Sequence, residues 1–333
     1  MKLTKYRNNP ILQPNPANDW ESLVVCNPAA WYEDGKFYLL YRAAGNDDLH
    51  LIHLGLAVSD DGFNFRRTGD RPVLFPDPLN FDSGCEDPRI VKMGDLFYIT
   101  YAYRSYPPGR YWTPDKKNYV NVPADGYVPA GLRYNISQTA LAISSDLKTY
   151  KKLGRITTFD YDNRDVILFP EKVNGRFVRL ERPVFEDGSI PSIWINYSDN
   201  LLDWEQPRLL AGPKYEWEAA KIGGSTPPLL TDAGWLVIYH GVSARDRLYR
   251  VGALLLETGN PEKIIARTRD FIMEPEFPYE TDGFYSGCVF PTGNVIVGDT
   301  LYVYYGGADR YCCVATCSVS ALIKFLLSEG KEL

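Results

Sequence analysis

Apolar and polar positions along this chain alternate in short runs, and one arrangement of them recurs five times. An apolar segment leads into a turn with glycine and then into an aromatic or β-branched strand. The instances are PAAWYEDGKFYLLYRA, PRIVKMGDLFYITYAYR, PEKVNGRFVRLERP, PPLLTDAGWLVIYHGV and GNVIVGDTLYVYYGGA. Period-two alternation is the mark of half-buried strands, and a glycine between two such runs marks a hairpin. The turn glycines are Gly35, Gly94, Gly175, Gly234 and Gly298, spaced by 59, 81, 59 and 64 residues. A second turn follows in HLGLAVSDDGFNFRR, TALAISSDLKTYKKLG and SIWINYSDNLLDWEQP, each a strand, a Ser-Asp turn and an aromatic strand. VGALLLETGNPEKIIART is a looser version, and YCCVATCSVSALIKFL closes the fifth unit.

About four short strands in each of five units predict an all-β fold, a five-bladed β-propeller forming a single domain over residues 1–333. A two-sheet sandwich competes, but it leaves the regular pairing of the two turns unexplained. One short helix is expected near the C-terminus, around SALIKFLLSEG. The widest spacing contains a Pro/Tyr-rich insertion at 105–135 that reads as a long loop. Such a loop either shapes a binding cleft or makes a subunit contact in a homo-oligomer.

Composition narrows the partners. The chain has 333 residues and a formal charge of −6, which argues against nucleic acid or a membrane surface, both of which favour a basic patch. No apolar run reaches the length of a membrane span, and the first residues carry no secretory apolar region. The six cysteines lack metal-site spacing and read as free thiols of a cytoplasmic protein. No metal motif is present, so no metal is expected. Aromatic residues make up 14% of the chain, which suits both strands and the faces of sugars.

Propellers bind ligands where their innermost strands meet, so the start of each unit is where chemistry belongs. There the chain places Asn27, then Glu86, Asp87 and Arg89, then Arg164 and Asp165, then Lys221, while Arg42, Arg182, His240 and Asp309 follow the inner strands. Ordinary structural roles compete for several of these. Arg89 has the option of an ion pair between blades, His240 of a hydrogen-bonded core site, and Glu171 with Lys172 of a surface pair.

The segments GCEDPRI, LFPEKVNGRFVRLERP, KIGGSTPPLLTDAGWLVIYHGV and YYGGAD, in this order over nearly the whole chain, resemble the motifs of glycoside hydrolase family 130. That family comprises inverting β-mannoside phosphorylases and related β-mannosidases, and its fold is a five-bladed propeller. The resemblance implies that Asp87 is the general acid, its proton relayed to the glycosidic oxygen through a hydroxyl of the mannosyl ring. It also implies that Asn27 and Asp309 hydrogen-bond the mannosyl unit of a manno-oligosaccharide. Glu86 and Arg89 join them as substrate-side candidates, with Arg89 orienting the site.

Phosphorolysis gives α-mannose 1-phosphate and needs several positive donors for the attacking phosphate, the one cosubstrate expected beside the sugar. The supply is Arg42, Arg164, Lys172, Lys221 and His240. The alternative is inverting hydrolysis, in which a second carboxylate activates water roughly 6.5–9.5 Å from the acid. Glu171 and Glu218, with Glu216 beside it, are the candidate bases. A propeller that binds carbohydrate without catalysis is the remaining reading, weakened by an acid beside so many cations.

Overall fold

The computed structural model describes residues 1–113, 128 and 130–330. Its strands form five antiparallel sheets. Blade 1 contains Val24–Glu33, Lys36–Ala44, Ile52–Ser59 and Arg66–Arg67; blade 2 contains Glu86–Met93, Leu96–Tyr103, Gln138–Ser144 and Lys151–Arg155. Blade 3 contains Asp162–Leu168, Phe177–Val184, Ile193–Ser198 and Arg208–Ala211. In blade 4 the innermost strand is split into Lys221–Gly224 and Leu229–Thr231, both paired with Gly234–Val242; Tyr249–Leu256 and Ile264–Arg267 follow. Pro227 and Pro228 fall in the break, where they have no N–H to give a ladder.

The fifth unit departs from the expectation of four strands in sequence. After Val289–Val297, Thr300–Gly307 and Tyr311–Ser318 the chain turns into the helix Val319–Glu329, and the fourth strand is Thr4–Lys5 from the other terminus. The ring is therefore closed by strand pairing between its two ends. Ser318 caps the helix, accepting from Ala321 N, and Leu322 and Leu326 pack into the core. Among the described residues no helix is long and apolar enough to cross a membrane.

Among the described residues, five apolar wedges lie one between each pair of neighbouring blades, and a small cluster of Val24, Ala44 and Ile52 sits within blade 1. Leu40 and Ile99 share a cluster between blades 1 and 2, Leu141 and Val166 between 2 and 3, and Leu180 and Val237 between 3 and 4. Val251 and Val303 meet between 4 and 5, and Tyr304 and Leu39 complete the circle between 5 and 1. The five turn glycines all have positive φ, from 60° to 131°. In the Ser-Asp turns Ser59, Ser144 and Ser198 accept backbone N–H groups two and three residues on.

A second repeat was not foreseen. In four blades a tyrosine of the second strand donates to a carboxylate from the loop before the blade, and a cation of the fourth strand pairs with the same carboxylate. The sets are Tyr41–Glu21–Arg67, Tyr101–Asp82–Lys152, Tyr239–Glu218–Arg267 and Tyr305–Glu280–Lys5. Lys5 reaches its place on the closing strand, so the N-terminus supplies the same cation that the other blades carry internally. Blade 3 uses Glu181, paired with Arg179 and hydrogen-bonded by Asn163 and Asn196.

Candidate active site

Three inner strands are broken at equivalent points. In blades 1, 2 and 3 the ladder shifts between Cys26 and Ala29, between Glu86 and Arg89, and between Arg164 and Ile167. Each break is a β-bulge, two residues facing one, and its first residue has positive φ: Asn27 at 46°, Asp87 at 49° and Asp165 at 53°. Bulges re-aim side chains, and non-glycine residues in this region cost on the order of 1–3 kcal/mol each. All three residues line a cavity of about 580 Å³ at the centre of the ring.

One arc of the cavity, from blades 5, 1 and 2, carries the carboxylates Glu86, Asp87 and Asp309. Asn27 Nδ2 donates to Asp87 Oδ1 at 2.7 Å and reaches Asp309 Oδ1 at 3.2 Å. Arg42 Nη1 lies 3.1 Å from Asp87 Oδ1 and 3.8 Å from Glu86 Oε2. Burial and the adjacent Asp87 push the Asp309 carboxyl above the usual range, against the pull of Arg42. Gly306 makes room for Asn27, since a Cβ there would come within 1.7 Å of Asn27 Oδ1.

The other arc, from blades 3 and 4, carries cations. Arg164 forks onto Asp162 at 2.9 and 2.7 Å, and Arg182 Nε donates to Asp165 Oδ2 at 2.6 Å. Lys221 donates to the Tyr249 hydroxyl, and His240 stacks on the Tyr249 ring at 5.7 Å. Burial, then Arg182, brings Lys221 down to about 8, with Asp165 opposing. Burial, with Arg182, Lys221 and Arg89, brings His240 down to about 3 despite Asp165, so the imidazole is neutral near pH 7. Six cationic and four acidic side chains line this cavity among the described residues, in a chain whose net charge is −6.

The structure thus brings together Asn27, Arg42, Glu86, Asp87, Arg164, Lys221, His240 and Asp309. Arg42 sits with Glu86 and Asp87 rather than with Arg164, Arg182 and Lys221. Five candidates lie elsewhere, among them Glu216, which is exposed with Oε1 3.9 Å from Arg245 Nη1. Glu171 and Lys172 are exposed on the blade 3 hairpin, where the Lys172 ammonium rests 4.2 Å from the Phe177 ring centroid. Glu218 is fully buried in its blade tie with Tyr239 and Arg267. Arg89 lies beneath the cavity, its Nη2 3.1 Å from Asp165 Oδ1 and its Nη1 2.8 Å from the Asp87 carbonyl. Tyr285 lines the cavity, while Tyr103 and Tyr239 are buried in wedges and Phe284 packs on Trp112.

The sequence places Arg182 and Asp165 at the inner strands without assigning them a role, and pairing of the strands puts them beside His240. Several other lining residues were not singled out. Tyr249 had no signal beyond being one tyrosine among 24. Arg104, Pro108, Tyr111, Arg133, Tyr134 and Asn135 come from the start and end of the insertion and its approach, so its described ends border the cavity. Residues 114–127 and 129 lie outside the described part.

Carboxylates beside a cluster of cations in one cavity suit an enzyme better than a sugar-binding module. The family model described as beta-1,4-mannooligosaccharide phosphorylase matches residues 2–328. The chain belongs to this family, glycoside hydrolase family 130. It is 36% identical to the 1,2-beta-oligomannan phosphorylase of Thermoanaerobacter sp. (strain X514), over 95% of this chain and 97% of that one. It is 37% identical to the beta-1,2-mannobiose phosphorylase of the same organism, over 94% and 96%. The solved structure of the Listeria innocua beta-1,2-mannobiose phosphorylase in complex with beta-1,2-mannobiose superposes with a TM-score of 0.81 at 25% identity, covering 99% of this chain and all of that one.

Proposed function

We propose that the protein is an inverting β-mannoside phosphorylase acting on β-1,2-linked manno-oligosaccharides, with inorganic phosphate as cosubstrate. The observation that carries this reading is the grouping in the cavity: Glu86, Asp87 and Asp309 come from blades 2 and 5, while Arg164, Arg182, Lys221 and His240 gather on blades 3 and 4. A mannosyl ring at the axis then meets the proton donor on one face and the nucleophile on the other, as inversion requires. The β-1,2 linkage is favoured by the names of the two Thermoanaerobacter relatives; the family description names β-1,4.

In this mechanism Arg164, Arg182, Lys221 and neutral His240 hold phosphate, with arginine forks suited to its oxygens. His240 Nδ1 shares a hydrogen bond with Ser225 Oγ at 3.1 Å, leaving Nε2 to face the anion. A phosphate oxygen bonds to the anomeric carbon as the glycosidic C–O bond breaks. Asp87 supplies the proton, relayed through a mannosyl hydroxyl, and the leaving sugar departs with it. The proton of monohydrogen phosphate restores Asp87. Positioning and fixed charge supply most of the acceleration.

Hydrolysis finds less support. Glu171 and Glu218 stand outside the cavity. The one carboxylate on its cation arc, Asp165, is held well below the usual carboxylate range because Arg182, His240 and Arg89 outweigh the effect of burial. So weak a base is poorly suited to activating water. Initial rates with β-1,2-, β-1,3- and β-1,4-mannobiose over a phosphate titration test the proposal: turnover of β-1,2-mannobiose saturates in phosphate and exceeds the others. Equal rates with and without phosphate would refute it.

A further inference from the structure

A carboxylate is out of place in a cluster built to hold a dianion, yet Asp165 lines the cavity among the cations. Both of its oxygens are occupied. Oδ1 accepts from Arg89 Nη2 at 3.1 Å and Oδ2 from Arg182 Nε at 2.6 Å, with His240 Nε2 3.8 Å from Oδ2. Arg89 crosses the axis from blade 2 to blade 4, where Nε donates to the Ser225 carbonyl at 3.1 Å, and the Ser225 hydroxyl meets His240 Nδ1. A ring of contacts therefore runs from Asp165 through Arg89 and Ser225 to His240 and back, with Arg182 hung from the second oxygen.

The ring has no slack. A Cβ on Gly223 would come within 2.6 Å of His240 Cε1, 2.7 Å of Asp165 Oδ2 and 2.9 Å of Arg182 Cδ. Arg89 also grips the Asp87 carbonyl, so the same guanidinium touches the turn that carries the acid. Asp165 itself occupies in blade 3 the bulge position that Asp87 occupies in blade 2.

We propose that Asp165 is the positioning residue of the anion site: it aims Arg182 and His240 at the bound phosphate and, through Arg89, keeps them in register with Asp87. This rests on the phosphorylase reading above. With both oxygens taken, Asp165 cancels repulsion at close range and acts through its partners. An amide in its place would turn an N–H donor toward one of two guanidiniums.

The test is steady-state kinetics of the full chain with β-1,2-mannobiose and inorganic phosphate varied independently. Asp165→Asn raises the phosphate KM by about tenfold or more, the scale of a lost charge-assisted hydrogen bond, and leaves the mannobiose KM unchanged. Asp165→Glu, which restores the charge, recovers part of that loss. Ser225→Ala, which loosens only His240, raises the phosphate KM less and serves as the measurement should Asp165→Asn fail to fold. A phosphate KM that stays the same or falls in Asp165→Asn, that stays the same in Ser225→Ala, or that rises in step with the mannobiose KM overturns the inference alone. A wild-type enzyme that turns over without phosphate overturns it together with the phosphorylase reading.

Discussion

Asn27 Nδ2 stands 2.7 Å from Asp87 Oδ1, and both residues are the first of a bulge on neighbouring inner strands. The amide therefore fixes the orientation of the Asp87 carboxylate from the adjacent blade, and it can do so only because Gly306 leaves space behind it. Gly306→Ala drives a methyl into Asn27 Oδ1 and swings the amide off Asp87. The expected result is a fall in kcat with the fold retained, read by steady-state kinetics beside a circular dichroism melt. Unchanged kcat would mean that Asn27 does not orient the acid.

Asp87→Asn keeps the shape of the side chain and removes its proton. Loss of a general acid costs about 10²–10⁴-fold, so kcat falls on that scale while mannobiose binding, measured by calorimetry, persists. A variant that retains near wild-type turnover would move the acid elsewhere in the cavity.

If Lys221 holds phosphate as proposed, phosphate binding is expected to depend on pH. The Lys221 ammonium is brought to about 8 by burial, then by Arg182 and Arg164, with Asp165 opposing. The charged form prevails below that value, so the phosphate KM rises as pH increases through about 8. Lys221→Met has a higher phosphate KM below about pH 8 and lacks this alkaline rise, so the two profiles converge at higher pH. Profiles of phosphate KM against pH for the two proteins check both statements.

Glu218 holds a blade together. Glu218→Ala leaves Arg267 buried beside Tyr239 without its carboxylate, and breaking a buried pair of this kind costs about 3–5 kcal/mol. Chemical denaturation reads that loss, while kcat of the folded fraction stays as it was. Glu280→Ala, in the equivalent set of blade 5, loses stability similarly and weakens the hold of Lys5 on the closing strand.

The propeller was legible because its repeat is written locally. Each hairpin needs its glycine and each Ser-Asp turn its serine, so five units can be counted without knowing how they pack. The closing strand was not legible, since Thr4–Lys5 is two residues long and acquires meaning only beside Tyr311–Ser318. Asp87, Asn27, His240 and Lys221 could be placed near the axis from their positions at the starts and ends of inner strands, and all four line the cavity. Glu171 and Lys172 stood in the same quoted motif as Arg179 and Arg182, but the blade 3 hairpin carries them to its exposed end. Glu218 was misread because a buried carboxylate looks alike in sequence whether it serves a base or a tyrosine. The role of Asp165 depends on contacts 76, 17 and 75 residues away, to Arg89, Arg182 and His240, and no spacing along the chain announces them.

The most direct test of the account is to follow β-1,2-mannobiose by NMR with and without inorganic phosphate and identify the first product. The account predicts α-mannose 1-phosphate and free mannose in equal amounts, and no reaction in its absence. Mannose released at the same rate without phosphate, or a β-configured sugar phosphate, would contradict it.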